Sequence, residues 1–283
     1  ADYYGMDNNQ VFVGVGSDDV LSMCFLTFFN GKKPVLFPDI TYSFYSVWAD
    51  LYRIPYEKQK LDDNMKIVPE DYYKENGGVI FPNPNAPTGL LMDLDSVRDI
   101  IEHNKDVVVI VDEAYIDFGG VSAKDLVNEY DNVLVVQTFS KSRSMAGMRI
   151  GYAFGSKELI KALNDVKFSF NSYTMNMTSI DMGVASINDK KYFEECVERI
   201  TATRERTKEE LTKLGFTFPD SKANFIFATH KSVPAKEIFE KLKDLNIFVR
   251  YFAQPGIDNY LRITIGTDEQ MDKLISALSE IVG

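Results

Sequence analysis

The sequence predicts an α/β protein, with a large domain built on a mostly parallel sheet flanked by helices and a smaller C-terminal α+β domain. Short apolar runs alternate with helical patterns through the first two thirds of the chain. Runs such as Val107–Val111 are apolar on both faces, as strands covered by helices on both sides require. After about Ser186 the alternation ends. We therefore expect one domain over residues 1–186 and another over 187–283.

Six strands are predicted in the large domain: Val11–Val15, Val35–Phe37, Gly78–Phe81, Val107–Val111, Val133–Thr138 and Ile150–Phe154. The first helix is expected over Asp18–Asn30, with Ser17 as its cap and Gly31 closing it. Ligands of such sheets bind at the carboxyl ends of the strands. Because Ser17, Asp112 and Lys141 each follow a strand, we expect them near one shared edge.

The C-terminal domain has a different succession of elements. The pattern predicts a long charged helix over Asp189–Leu214 that leads into the segment Asn224–Ala228. A helix near Ala235–Leu245, strands at Ile247–Arg250 and Leu261–Ile265, and a last helix from Glu269 follow. Such a mixture of helices and strands is typical of a small α+β domain packed on the first.

Composition and charge exclude several classes of function. A net charge of -11 and a pI near 4.8 argue against a nucleic-acid or anionic-membrane surface. Cys24 and Cys196 are the only cysteines, which fits a reducing compartment and excludes a disulfide framework. With His103 and His230 as the only histidines, no His/Cys metal cluster is expected. No apolar run has membrane-spanning length and Ala1 starts no signal-peptide pattern, so a cytoplasmic protein is expected.

The first strand–helix turn suits a phosphate group. Gly14 and Gly16 follow a strand and allow close backbone approach, and Ser17 opens a helix whose free N–H groups bind anions. Asp18 and Asp19 fit such a site if their side chains point outward, where they suit the helix dipole. The alternative is an ordinary capped turn.

A carboxylate and a phenol follow the strand Val107–Val111. Asp112 ends that buried strand, where a carboxylate is costly without a cationic partner. A protonated pyridine nitrogen is such a partner, and its protonation makes a pyridine cofactor a better electron sink. Tyr115 could donate to a phenolic oxygen of the same ring. The alternative is an acidic strand end with a tyrosine satisfied inside the protein.

Lys141 follows the buried strand Val133–Thr138 and is the candidate for an imine with a carbonyl cofactor. Thr138 and Ser140 offer hydroxyls to a phosphate, and Arg149 offers a bidentate guanidinium. A solvated Lys/Arg loop is the alternative. Taken together, the phosphate cradle, carboxylate, phenol, amine and guanidinium indicate a pyridoxal 5'-phosphate site.

Other residues are candidates for contacts to ring and substrate. Asn85 lies in the Pro-rich turn Asn83–Gly89 and could reach a ring oxygen, although a plain turn explains it equally well. Tyr42 could stack on a flat ring, or belong to the core. Arg262 lies in an otherwise apolar strand and needs an anion such as a substrate carboxylate. Arg250 could meet a second anionic group, and a structural ion pair is the alternative for both arginines.

The chain resembles the fold-type I pyridoxal-phosphate aminotransferases, and more narrowly the histidinol-phosphate aminotransferases, over essentially its whole length. The segments that carry the resemblance are Val13–Asp18, Thr41–Tyr45, Asn83–Gly89, Asp112–Tyr115, Thr138–Arg149 and Asn259–Thr264. The resemblance implies a fold-type I PLP-transferase fold and a homodimer. It also implies transamination of histidinol phosphate with 2-oxoglutarate, giving imidazole-acetol phosphate and glutamate, in histidine biosynthesis.

The resemblance also implies a role for each candidate residue. Lys141 would bind the cofactor covalently, Asp112 would pair with its pyridine nitrogen, Tyr115 with its phenolic oxygen, and Tyr42 would stack on its ring. Gly16, Ser17, Thr138, Ser140 and Arg149 would hold the cofactor phosphate, and Asp18 is also expected among the cofactor-binding residues. Arg262 would take the substrate α-carboxylate and Arg250 the substrate phosphate.

Two departures from the family pattern bear on these roles. Many relatives carry asparagine where this chain has Ala86, so the ring-oxygen contact would fall to Asn85 or be absent. Ala1–Gly5 resembles a point well inside the family sequence, so the segment that precedes it in relatives is expected to be missing. Three alternatives therefore stay open: an aromatic amino-acid aminotransferase, a phospho-amino-acid decarboxylase of the same fold, or a truncated, inactive scaffold that binds the cofactor.

Overall fold

The larger sheet has seven strands in a computed structural model that describes all 283 residues. Its strands are β1 (Val11–Gly14), β2 (Val35–Pro38), β3 (Tyr56–Gln59), β4 (Gly78–Pro82), β5 (Val109–Asp112), β6 (Val133–Thr138) and β7 (Gly151–Gly155). Their spatial order is β1-β7-β6-β5-β4-β2-β3. Only β7 runs against the others, antiparallel to both β1 and β6.

Helices cover both faces of this sheet. They are α1 (Ser17–Phe28), α2 (Phe44–Tyr52), α3 (Leu94–Glu102), α4 (Lys157–Phe170) and α5 (Met177–Asn188). In β5, Ile110 packs in one core cluster with α1, α2 and α4, whereas Val109 and Val111 pack in a second cluster with α3. Because alternate residues of a strand point to opposite faces, the continuous apolar run supplies both clusters.

The remaining elements build a second, four-stranded antiparallel sheet with its own core. They are α6 (Lys190–Lys213), β8 (Phe216–Thr217), β9 (Phe225–His230), α7 (Ala235–Asp244), β10 (Arg250–Tyr251), β11 (Leu261–Thr264) and α8 (Asp268–Val282). The strand order is β10-β11-β9-β8. Leu211, Ile226, Leu242 and Leu278 are buried in the core between this sheet and its helices.

Hydrogen bonds connect the elements around the second sheet to loops of the first. The guanidinium of Arg204 in α6 donates to the carbonyl of Phe118 at 2.8 Å and to that of Ala223 at 3.0 Å. The N–H of Lys222 donates to the carbonyl of Gly89 at 2.8 Å. The second sheet is therefore anchored to loops at the carboxyl edge of the first.

The predicted fold class is confirmed, with several differences in detail. Strand β3 was not expected, because its sequence Tyr-Glu-Lys-Gln lacks an apolar run and forms the exposed edge of the sheet. The short β8 was not expected either, and the strand predicted at Ile247–Arg250 is formed only at Arg250–Tyr251. The cap of α1 is Gly16, not Ser17. The boundary predicted between residues 186 and 187 falls in the last turn of α5 and stays a prediction.

The helix predicted over Asp189–Leu214 is confirmed as α6, with the Asp189 carboxylate accepting from the N–H of Tyr192. None of the helices combines the length and the apolar composition that crossing a bilayer requires.

Candidate active site

A cavity of about 150 Å³ opens at the carboxyl edge of the large sheet, where the sequence predicted a site. Its walls come from the ends of β4, β5 and β6, the start of α1 and the loop before α2. The lining residues are Ser17, Asp18, Leu21, Tyr42, Pro82, Ala86, Asp112, Ala114, Tyr115, Ser140, Lys141, Ala146 and Arg149. Most of the predicted cofactor-binding residues are therefore brought together.

The start of α1 and Arg149 form one end of the cavity. Gly16 has φ 90°, and a Cβ there would lie 2.5 Å from the Nη2 atom of Arg149. A Cβ on Gly151 would lie 2.2 Å from the backbone nitrogen of Ser17. These close approaches hold the first N–H groups of the helix beside a guanidinium, which is an arrangement suited to an anion.

Ser140 lines the cavity, and Thr138 lies behind it. The Oγ1 of Thr138 accepts from the N–H of Ser140 at 3.1 Å and is 3.0 Å from its Oγ. Thr138 is buried and does not line the cavity. Its contact with Ser140 fixes the start of the loop that carries Lys141.

The two aspartates of the first turn of α1 do not both point outward. Asp19 turns back, and its carboxylate accepts from the N–H of Val15 at 2.9 Å. Asp18 lines the cavity, accepts from the hydroxyl of Tyr42 at 2.8 Å and lies 3.7 Å from a nitrogen of Arg149. The outward orientation expected of Asp18 is therefore wrong, because these two donors hold it at the cavity.

Asp112 has one oxygen without any hydrogen-bond partner. Its Oδ2 accepts from the hydroxyl of Tyr45 at 2.8 Å, whereas its Oδ1 is buried and unpartnered. Burial raises the pKa of the Asp112 carboxyl to about 6, although the bond from Tyr45 and the charge of Lys141 oppose the rise. Tyr45 was missed as a contributor because an aromatic residue at helical spacing signals core packing.

Lys141 lies beside Tyr115, and Tyr115 connects the cavity to the second sheet. The Nζ of Lys141 is 5.3 Å from the centroid of the Tyr115 ring. That ring meets Phe225 edge-on, with centroids 5.1 Å apart, and the guanidinium of Arg262 lies 5.2 Å from the Phe225 ring. After Lys141, the hydroxyl of Ser142 donates to the carboxylate of Asp117 and anchors the loop.

The two arginines of the second sheet lie side by side, outside the cavity. Arg250 and Arg262 are directly opposite each other in the antiparallel pair β10–β11. The Nε of Arg262 is buried and has no partner, whereas Arg250 is exposed and lies 5.7 Å from the ring of Phe252. Directly opposed residues share a face of the sheet, so these two positive charges repel unless an anion joins them.

Asn85 is not brought to the cavity. Its Nδ2 donates to the carbonyl of Ile40 at 3.0 Å, and its Oδ1 accepts from the hydroxyl of Thr41 at 3.1 Å. Its neighbour Ala86 lines the cavity instead. Both ends of the Asn85 amide are thus used to hold the loop that precedes Tyr42.

The chain is similar to known proteins over essentially its whole length. The model of the family Aminotransferase class I and II matches residues 1–278. Histidinol-phosphate aminotransferase of Clostridium beijerinckii is 53% identical over 282 residues, which are 100% of this chain and 79% of that protein. The enzyme of the same name from Lactococcus lactis subsp. cremoris is 50% identical over 99% of this chain and 79% of its own length.

Solved structures show the same fold. The histidinol-phosphate aminotransferase of Clostridium acetobutylicum superposes with a TM-score of 0.91 at 24% identity, covering 99% of this chain and 86% of that one. The Sinorhizobium meliloti enzyme, solved in complex with pyridoxal-5'-phosphate, also gives 0.91, at 21% identity over 100% of this chain and 79% of that one. The match in sequence and in fold confirms the resemblance, and the chain belongs to the class I and II aminotransferases, within the family of histidinol-phosphate aminotransferases.

Proposed function

We propose that this chain is a cytoplasmic, homodimeric enzyme that uses pyridoxal phosphate to transaminate histidinol phosphate with 2-oxoglutarate, in histidine biosynthesis. The products are imidazole-acetol phosphate and glutamate. The observation that carries the proposal is the cavity that joins Lys141, an incompletely paired Asp112 and an anion-binding helix start. The 53% identity to a histidinol-phosphate aminotransferase supports the choice of substrate.

The residues of the cavity fit pyridoxal phosphate. The unpartnered Oδ1 of Asp112 needs a donor, which a protonated pyridine nitrogen supplies. At the other end, Ser17, Ser140 and Arg149 offer N–H, hydroxyl and guanidinium donors for a phosphate. Tyr42 offers the face of an aromatic ring between these two ends. The cavity thus suits one flat ligand that carries an anionic group at one end and a cationic group at the other.

Pyridoxal phosphate supplies an aldehyde that condenses with amines and a ring that accepts the electron pair released at the substrate Cα. Lys141 would hold the cofactor through its amine, and the same amine, when free, would be the base for the Cα proton. Asp112 would hold a negative charge at the ring nitrogen, and Tyr115 would donate to the phenolic oxygen. Phe225 packs against Tyr115 and helps to exclude water from that side.

Arg262 and Arg250 set the selectivity for anionic substrates. Histidinol phosphate carries a phosphate and no carboxylate, so the α-carboxylate contact expected of Arg262 applies only to 2-oxoglutarate and glutamate. Arg250, opposite Arg262 in the strand pair, is the candidate for the phosphate of histidinol phosphate. An anion that meets both guanidinium groups removes their mutual repulsion.

The experiment that tests the proposal is an absorbance spectrum with added pyridoxal phosphate, recorded before and after histidinol phosphate. Wild type should show the visible band of lysine-bound cofactor, Lys141→Ala should lack it, and histidinol phosphate should bleach it. A band that ignores histidinol phosphate would favour an aromatic amino acid, a phospho-amino acid or an inactive scaffold. The absence of any band in wild type would overturn the cofactor assignment.

Arg250→Gln tests the substrate assignment separately. We expect the KM for histidinol phosphate to rise about 10-fold or more, because a charge-assisted contact to phosphate is lost. The affinity for pyridoxal phosphate should stay within about twofold. Arg199→Gln, which removes an exposed arginine of α6, is the matched control. Equal KM values for wild type and Arg250→Gln would show that Arg250 does not bind the phosphate of histidinol phosphate.

A further inference from the structure

Tyr45 is a fully buried tyrosine whose hydroxyl contacts the cavity's carboxylate. It lies in the first turn of α2, and its ring is held by Phe25, Phe37 and Trp48 at centroid distances of 6.3, 5.8 and 6.3 Å. The hydroxyl donates to the Oδ2 of Asp112 at 2.8 Å. This contact joins residues that are 67 positions apart in the sequence.

The contact decides which carboxylate oxygen can take a proton. A phenol has one proton, and burial together with the charge of Asp112 holds the pKa of Tyr45 well above its usual range. The hydroxyl of Tyr45 therefore stays protonated and donates to Oδ2. Any proton that Asp112 exchanges with a ligand must be exchanged at Oδ1, which has no partner within the protein.

The other groups near Asp112 do not replace this bond. The charge of Asp18 favours the protonated form of Asp112, whereas that of Lys141 favours the ionised form. Cys24, on α1, is fully buried, and burial raises the pKa of its thiol well above the usual value, so it stays neutral. Tyr45 is the one side chain hydrogen-bonded to Asp112.

We propose that Tyr45 is a positioning residue, which fixes the Asp112 carboxylate in one orientation and keeps its negative charge available at Oδ1 for the pyridine nitrogen. The inference rests on the proposed function, because it requires pyridoxal phosphate in the cavity. Tyr45 also meets Tyr42 edge-on, with ring centroids 5.8 Å apart. Through these two contacts, Tyr45 would position both the Tyr42 ring, which would stack on the cofactor, and the Asp112 carboxylate, which would face the cofactor nitrogen.

The test compares Tyr45→Phe with a matched control, Tyr152→Phe. Each variant removes a buried phenol hydroxyl that donates a hydrogen bond of 2.8 Å, to Asp112 in the first case and to Gln137 in the second, where the hydroxyl also lies 2.6 Å from that of Tyr4. The readouts are the ¹⁵N chemical shift of the ring nitrogen in bound, ¹⁵N-labelled pyridoxal phosphate, and the dissociation constant of the cofactor. Both report on the contact without requiring turnover.

In wild type and Tyr152→Phe, the ring nitrogen should show the shift of a protonated pyridine. In Tyr45→Phe it should move towards the neutral value, and cofactor affinity should fall about 10-fold, as expected for loss of a hydrogen bond to a charged group. The kcat should fall as well, with the KM for histidinol phosphate within about twofold. In an Asp112→Asn background, Tyr45→Phe should have no further effect on cofactor affinity.

An unchanged ¹⁵N shift in Tyr45→Phe would overturn the inference, as would an equal loss of affinity in both phenylalanine variants, which would indicate packing alone. If Tyr45→Phe does not fold, Tyr45→His and Tyr45→Leu give the same comparison, since only the first keeps an N–H donor. Wild type that fails to bind pyridoxal phosphate, or binds it with a neutral ring nitrogen, would instead contradict the proposed function.

Discussion

Asp112 and Glu113 are adjacent buried carboxylates at the end of β5, and their surroundings differ. Burial raises the pKa of Asp112 to about 6 and that of Glu113 to about 7. Glu113 accepts from the Ser122 hydroxyl at 2.5 Å, the Ala123 N–H at 2.6 Å and the Gln137 amide at 2.8 Å. Asp112 accepts from Tyr45 at one oxygen and has nothing at the other.

The difference shows that burial alone does not identify a binding group. The hydrogen-bond donors to the Glu113 carboxylate all come from the protein. Through them the carboxylate ties the segment that begins at Ser122 to Gln137 of β6. The hydrogen bonds continue from Gln137 to Tyr152 and Tyr4. The Oδ1 of Asp112, in contrast, accepts a hydrogen bond only when a ligand supplies the donor. A carboxylate whose partners all come from the protein supports the fold, and one that lacks a partner marks the site.

The largest effect should come from Asp112→Asn. We expect kcat to fall about 100-fold or more with saturating cofactor, because the charge at the ring nitrogen is lost. The free energy of unfolding of the cofactor-free protein should change by less than about 1 kcal/mol, since the amide oxygen can still accept from Tyr45. Steady-state kinetics and urea unfolding measure the two quantities. A normal kcat in Asp112→Asn would contradict the claim that Asp112, unlike Glu113, belongs to the site.

Glu113→Gln should show the reverse pattern. An amide NH₂ would face the donors of Ser122, Ala123 or Gln137, so the free energy of unfolding should fall by about 1–3 kcal/mol. Cofactor affinity and kcat of the folded protein should stay within about twofold of wild type. Urea unfolding and a cofactor titration test this. A large loss of kcat with unchanged stability would show that the Glu113 side also belongs to the site.

The pH dependence of stability sharpens the same comparison. The pKa of Glu113 rises from 4.5 to about 7 on folding, so the folded state binds its proton more tightly than the unfolded state does. Its contribution to stability is complete below about pH 4.5 and is lost as the pH rises through about 7. The stability deficit of Glu113→Gln should therefore shrink between these two pH values. A deficit that grows with pH in urea unfolding would contradict the raised pKa.

The smallest effect is expected for Ser122→Ala, which removes one of the three donors to Glu113 and leaves the other two. We expect the free energy of unfolding to fall by about 0.5–1.5 kcal/mol, with no change in cofactor affinity. Thermal unfolding at neutral pH measures it, and Ser169→Ala, whose exposed hydroxyl bonds within α4, is the control. Equal losses in the two variants would mean that the Glu113 network adds nothing beyond an ordinary surface hydrogen bond.

Much of the fold follows from local sequence patterns. The apolar runs of β4, β5 and β6 predict buried strands, and residues that follow such strands meet at one edge, as Asp112 and Lys141 do. The antiparallel direction of β7 was not predicted. Its composition resembles that of its neighbours, and strand direction depends on the path of the connecting chain, which local periodicity does not contain.

Contacts within the site were harder to predict than its location. Tyr45 meets Asp112 across 67 residues, and nothing in the local pattern distinguishes its hydroxyl from that of another core tyrosine. Asn85 has the right residue type, but the path of its turn directs the amide towards Ile40 and Thr41. Residue types and strand ends could thus be read from the sequence, whereas side-chain directions required the structure.

The pairing of β1 with β7 has a consequence for synthesis of the chain. Among the seven strands of the large sheet, β1 is the first to be synthesised, and its only partner in the sheet comes about 140 residues later, with Gly14 opposite Gly151. Arg149 emerges just before that partner. The anion-binding end of the cavity is therefore the last part of the large sheet to assemble, after the strands that carry Asp112 and Lys141. A nascent chain therefore contains Lys141 before the residues proposed to bind a phosphate have come together.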